Sequence, residues 1–206
     1  MKIIDISQVL NSATPVWPGD TPFAFHLNWT KEQTGSVNVG TIKMSAHTGT
    51  HIDAPYHFSD EGTPVSELPL ESYIGNALVV DVTNHQAISS QALAGIDLTT
   101  IEMVLLKTNS WIDHSTFPEN FSYLRSELAS YLHKNAIRLI GVDVPSVDPL
   151  DSKTLDAHHA LHKHNISILE GLVLKDVKPG VYELIALPLN IEGADGCPVR
   201  AVLVER

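Results

Sequence analysis

Short apolar runs rich in β-branched residues recur along the chain, and they constrain its fold more than any other feature. They cover 3–6, 37–46, 77–82, 103–107, 137–142, 166–174, 182–187 and 199–204. Turn residues bound several of them, a pattern that predicts strands. Two other segments carry helical spacing. Over 120–134, Phe121, Leu124, Leu128 and Leu132 repeat at three- and four-residue intervals and give one apolar face. A second helix is predicted over 152–163, after Asp148-Pro149, and a shorter one fits 89–94. This mixture of strands and helices predicts an α/β or α+β fold. The segments 17–22 and 193–198 hold Gly and Pro and read as loops. No repeat, linker or composition shift divides the chain, so a single domain over 1–206 is expected.

Composition excludes several classes. Hydrophobic residues make up 43% and charged residues 18% of 206, which rules out intrinsic disorder. Thirteen Lys and Arg against 24 Asp and Glu give a net charge of −11. Such a chain is a poor match for a nucleic-acid backbone or an anionic membrane. No apolar run reaches the ~18 residues of a membrane span. Lys2-Ile3-Ile4-Asp5-Ile6 lacks the apolar block of a signal peptide. Cys197 is the only cysteine, so no intramolecular disulfide forms, and a cytoplasmic location is the expectation.

Histidine is the unusual count, at eleven. His47, His51 and His57 lie within one short stretch; His158, His159, His162 and His164 lie within another. In His47-Thr48-Gly49-Thr50-His51-Ile52-Asp53-Ala54-Pro55-Tyr56-His57, the Thr-Gly-Thr insert and Ala54-Pro55 disfavour a helix. A strand ending in a bend fits better. His51 and Asp53, two apart, then point to one side, and a bend at Gly49 brings His47 round to them. Two imidazoles and a carboxylate suit a divalent metal with positions left open. His57, beyond the proline, returns to the same cavity as a further ligand or a proton-transfer group. Any one of these histidines alone reads as a surface or hydrogen-bonded core residue. Clustered and buried without a partner, they would cost too much.

Glu170 lies inside an apolar run and needs a partner if buried; metal ligation beside His158 is one reading, a strand end facing water the other. His159, His162 and His164 read as surface or supporting residues. Asp143, at the end of Gly141-Val142-Asp143, fits either a hydrogen bond to a ligating histidine or a turn cap. Cys197, in Gly196-Cys197-Pro198, reads as a small turn residue. Neither a Gly-rich phosphate loop nor a Gly-x-Ser-x-Gly elbow is present.

The His47–His57 segment resembles the His-x-Gly-Thr-His-x-Asp-x-Pro-x-His motif of the metal-dependent cyclase-like hydrolases. Several flanking segments are similar to its bacterial kynurenine formamidase branch. They are Trp17-Pro18-Gly19-Asp20-Thr21-Pro22-Phe23, 141–148, His158-His159 with Glu170, Leu187-Pro188-Leu189, and Asp195-Gly196-Cys197-Pro198-Val199-Arg200. The resemblance implies a β-rich α/β fold of the swivelling β/β/α type and a homodimer. It implies two divalent metal ions, usually zinc, with Mn²⁺ also accepted by carboxylate-rich sites. By this pattern His47, His51 and Asp53 hold the first ion, Asp53 bridges to a second held by His158, and Glu170 contacts both. His57 would move protons and Trp17 would contact substrate. The implied reaction is hydrolysis of N-formyl-L-kynurenine, an aryl formamide, to L-kynurenine and formate. A cyclic-amide hydrolase acting on isatin is the close rival. A metal-binding protein without turnover fits less well, because structural zinc is normally closed by four protein ligands.

Overall fold

The run Met103–Lys107 shows how the sheet is built. Met103, Val104, Leu105 and Leu106 are all fully buried. With a period of two, Met103 and Leu105 face one side and Val104 and Leu106 the other. A strand covered on both faces reads as an unbroken apolar run, as parallel strands do.

A computed structural model describes residues 1–205. In chain order its strands are β1 (Lys2–Asp5), β2 (Ala24–Trp29), β3 (Val39–Lys43), β4 (His51–Asp53), β5 (Ile74–Asp81), β6 (Ala87–Ile88), β7 (Met103–Lys107), β8 (Tyr123–Leu124), β9 (Leu139–Val142), β10 (Ser167–Glu170), β11 (Gly180–Ile185), β12 (Gly196–Pro198) and β13 (Val202–Glu205). The helices are α1 (Lys31–Thr34), α2 (Glu127–Lys134) and α3 (Asp156–Lys163). Nine strands form one sheet in the order β1-β13-β11-β5-β7-β9-β10-β4-β12. The four central strands β5, β7, β9 and β10 run parallel, and antiparallel strands flank them on both sides. The fold is α/β and strand-rich, as expected.

Each face of the sheet carries its own core. On one face, Val104, Leu106 and Ile140 pack with Leu128 and Leu132 of α2 and Leu161 of α3. On the other, Leu105 and Leu139 join Ile52 of β4, Cys197 of β12, Leu184 of β11 and Leu203 of β13. Residues from both ends of the sheet share this second cluster, so the sheet curls around it.

Four sequence expectations change. The helix expected over 120–134 begins only at Glu127. Phe121 and Leu124 are buried as expected, but from an extended segment. Its amides are already taken: Tyr123 N donates to Gln86 O, Leu124 N to Val147 O and Arg125 N to Ile88 O. The helix expected over 152–163 likewise shortens to Asp156–Lys163, with Leu155 in the left-handed region before it, and the one over 89–94 is a 3-10 turn at Ser90–Leu93. The expected loop 193–198 contains β12, where Cys197 pairs opposite Ile52 and is a buried strand residue. The strand β2 was not expected at all.

Candidate metal centre

The site grows from the pairing of β4 with β10. His51 lies directly opposite Glu170, and Asp53 lies two residues along the same face as His51. On its other edge β4 pairs with β12, where Gly196 opposes Asp53. Gly49, at φ 68°, makes the bend that returns His47 to this face. His47 then packs against Gly196, where an added Cβ would lie 2.6 Å from the imidazole. A side chain there would push the ring out of the site. The helix α3 delivers His158 from the opposite direction, buried against the same carboxylates.

The two oxygens of Asp53 face different imidazoles. Oδ1 is 2.9 Å from His47 Nδ1 and 3.4 Å from His51 Nε2, whereas Oδ2 is 3.2 Å from His158 Nε2. Glu170 repeats the division: Oε2 is 3.4 Å from His51 Nε2 and Oε1 is 3.7 Å from His158 Nε2. Val147 N donates to Glu170 Oε1 at 2.8 Å and fixes that carboxylate. The far nitrogens of two rings are also committed. His51 Nδ1 is 3.0 Å from Gly49 O, and His158 Nδ1 is 2.7 Å from Asp148 Oδ2. Asp148 also accepts from Ala157 N and His158 N, so one carboxylate holds both the ring and the first turn of α3.

His57 stands at the rim. Its ring centroid is 4.0 Å from that of His47 and 6.1 Å from that of His158. Its Nδ1 lies 3.6 Å from Asp195 Oδ2, whose carboxylate also meets His47 Nε2 at 3.1 Å. A cavity of about 440 Å³ opens over the group, lined by His47, His51, His57, His158, Glu170 and Trp17. Its outer wall is aromatic. Trp17 meets Phe117 edge-to-face at 5.5 Å, and Trp111 stands behind Phe117 at 6.2 Å.

Burial and pairing compete in setting the charges. Burial works to lower His47, but hydrogen bonds with Asp195 and Asp53 outweigh it and lift the group to about 9. Burial opposes His51 and His158 too, yet their carboxylate partners lift each to about 10. Burial would raise Asp53, but His158, His47 and His51 hold it well below the usual carboxylate range. Asp195 is held at about 2, chiefly by His47. His57 moves the other way: its burial pushes it below its ordinary value.

The family model described as "Putative cyclase" matches residues 4–149. The chain belongs to this cyclase family. A curated relative, the kynurenine formamidase of Geobacillus thermodenitrificans, is 56% identical over 200 residues, spanning 97% of this chain and 96% of the relative. A solved structure described as a potential metal-dependent hydrolase with cyclase activity superposes with a TM-score of 0.85 at 29% identity, covering 100% of this chain and 98% of the other. Isatin hydrolase A from Labrenzia aggregata shares the fold, with a TM-score of 0.83 at 23% identity, covering 100% and 94% of the two chains.

The chain is a metal-dependent hydrolase, and its donor set fits a metal. Tetrahedral zinc with bonds of about 2.0–2.2 Å needs donor atoms about 3.3 Å apart. His51 Nε2 lies 3.4 Å from both its carboxylate partners, and His158 Nε2 lies 3.2 Å from Asp53. With Nδ1 of both rings bound elsewhere, Nε2 is left facing inward, the arrangement that orients metal-bound histidines. The residues singled out by sequence reading meet here: His47, His51, His57, His158, Glu170 and Trp17 line the cavity, and Asp53 contacts His47, His51 and His158. Sequence reading missed the roles of two residues. Asp148 had a readable signal, an acidic residue ahead of a histidine-bearing helix. Asp195 stood only in a flanking segment of the resemblance, with 148 residues between it and His47 and no local histidine to point to its role. Asp143 takes the turn role: it accepts from Thr108 N and Asn109 N and touches none of the imidazoles. His159 and His162 pack on Phe58 instead of joining the group.

Proposed function

We propose that the chain hydrolyses N-formyl-L-kynurenine to L-kynurenine and formate, acting as one unit over 1–206. The observation that carries this reading is the position of His57. It is an imidazole less tightly held than its neighbours, between a buried donor cluster and an aromatic-walled cavity. The kynurenine formamidase relative at 56% identity names the substrate class.

The ligands are proposed to be His47, His51 and Asp53 for one divalent ion and His158 for a second, with Asp53 bridging and Glu170 contacting both. The division of carboxylate oxygens between the imidazoles supports two positions. Zn²⁺ is the favoured ion and Mn²⁺ the alternative. Bound divalent ions supply an acidified water and polarise an acyl oxygen. His57 takes the proton of the attacking water and returns it to the departing arylamine nitrogen. Its Nδ1 faces Asp195, and its Nε2 has no hydrogen-bond partner among the described residues, so that nitrogen is the one free to exchange a proton. Trp17 offers its ring to the aryl group, and the wall formed with Phe117 keeps water from that side.

A homodimer is part of the same reading. Phe25 and Leu27 alternate along β2, and Ile42 of β3 pairs opposite Phe25, giving an apolar face with no cover among the described residues. A two-stranded ribbon is marginal by itself. A second copy of the chain is its proposed cover, and the cytoplasm is the proposed location. No helix among the described residues is long and apolar enough to cross a membrane.

Metal content, formate release from N-formylkynurenine and ring opening of isatin, measured together, test the assignment. The expected result is more than one metal equivalent per chain and a kcat/KM for the formamide well above that for isatin. Faster turnover of isatin would move the chain to the cyclic-amide reading.

A further inference from the structure

The loop after β9 places one hydroxyl on the cavity wall that neither the proposed ligands nor the proton carrier uses. Ser146 is buried and lines the cavity together with His158 and Glu170. Its Oγ accepts a hydrogen bond from Asp148 N at 3.2 Å. A hydroxyl has one hydrogen to donate as well as lone pairs to accept with. No acceptor for that hydrogen is present among the described residues. A buried donor is normally paired, and the open side available to this one is the cavity.

The neighbouring groups fix the oxygen. Ser146 precedes Val147, whose amide holds Glu170, and the amide that holds Ser146 belongs to Asp148, the residue that orients His158. The same short loop therefore sets two proposed ligands and one unspent donor. Both Pro145, just before Ser146, and the buried Val144, whose carbonyl accepts from Gly171 N, limit its movement.

We infer that Ser146 is a further catalytic residue, donating its hydroxyl hydrogen to the substrate's acyl oxygen as negative charge develops there. This rests on the formamide-hydrolase reading above. The step is a hydrogen bond only: no bond to Ser146 forms or breaks, and the serine keeps its proton. A donor already in position costs no reorganisation when charge appears.

The test compares wild type, Ser146→Ala and Ser146→Thr, each metal-loaded, on N-formylkynurenine and on its thioformyl analogue. Metal affinity is measured in parallel. For Ser146→Ala we expect kcat roughly 10²-fold lower, the lower end for loss of one such donor, with KM and metal affinity within about threefold. Ser146→Thr, which keeps the hydroxyl, should recover most of the loss. Sulfur accepts hydrogen bonds poorly, so the alanine effect should shrink to under about tenfold on the thioformyl analogue. A kcat for Ser146→Ala within about threefold of wild type would overturn the assignment. So would loss of metal in step with activity, since Ser146 would then act only through Asp148. An equal loss on both analogues would overturn it too. An inert wild type overturns the formamidase reading itself, an outcome visible before any variant is compared.

Discussion

The β4–β10 pair and the β2–β3 ribbon break the ordinary rule of burial in opposite directions. At β4–β10 the chain buries charge: His51, Asp53, His158 and Glu170 are each no more than 4% exposed. On the ribbon it exposes apolar rings: Phe25 is 58% and Trp29 60% exposed. A buried carboxylate–imidazole cluster is costly unless something compensates its charge. An exposed apolar face is costly unless something covers it. Each region is therefore incomplete in a way the other is not. The first calls for cations and the second for another surface.

Substitutions should separate the two. The largest effect is expected from Asp53→Ala, which removes the group facing three imidazoles. Metal affinity should fall on the order of 10³-fold or more, corresponding to about 4 kcal/mol, and turnover should vanish. Titration with Zn²⁺ reads this out, and wild-type metal binding in the variant would break the account of the buried region. His57→Ala should come next. Its kcat should fall roughly 10²–10⁴-fold, the usual range for a general acid/base, while elemental analysis shows full metal. Metal lost in step with activity would make His57 a ligand instead.

The ribbon should answer to a different measurement. Phe25→Ser with Ile42→Ser should weaken self-association by roughly 30-fold or more, as loss of a central aromatic contact of ~2 kcal/mol does. Sedimentation velocity across a dilution series reports it. Metal content should stay unchanged, and a variant that remained dimeric would remove the ribbon from the interface. Trp17→Ala should give the smallest change. Its KM for N-formylkynurenine should rise about two- to tenfold, matching an aromatic contact of ~0.5–1.5 kcal/mol, with metal retained. Steady-state kinetics that showed no change would take Trp17 out of the substrate contact.

The two regions also differed in how far sequence reading could reach. The buried one was legible because its chemistry is local. His47, His51, Asp53 and His57 sit close together, and the two-residue spacing of His51 and Asp53 already put them on one side of a strand. The interior strand β7 was legible in full, since burial on both faces leaves an unbroken apolar run. The ribbon was not. Its β2 alternates Phe25-His26-Leu27-Asn28-Trp29, but it follows a Pro/Gly-rich loop, and the polar residues broke the apolar run. The start of α2 was misplaced because Phe121 and Leu124 satisfy a helical spacing while their amides bond to other segments. Periodicity reports which side chains are buried, not which backbone partner buries them.

The pairing of β4 between β10 and β12 has a consequence for when the site can exist at all. Asp53 and His158 are 105 residues apart in the chain, and His47 and Asp195 are 148 apart. Contacts of such long range close late, because the loops between them must be ordered before the contact gives anything back. No early fragment of the chain brings together the groups that would hold both ions. Completion of the two-ion site therefore falls at the end of folding, and a second ion held tightly is a report that the whole sheet, edge strands included, has come into register.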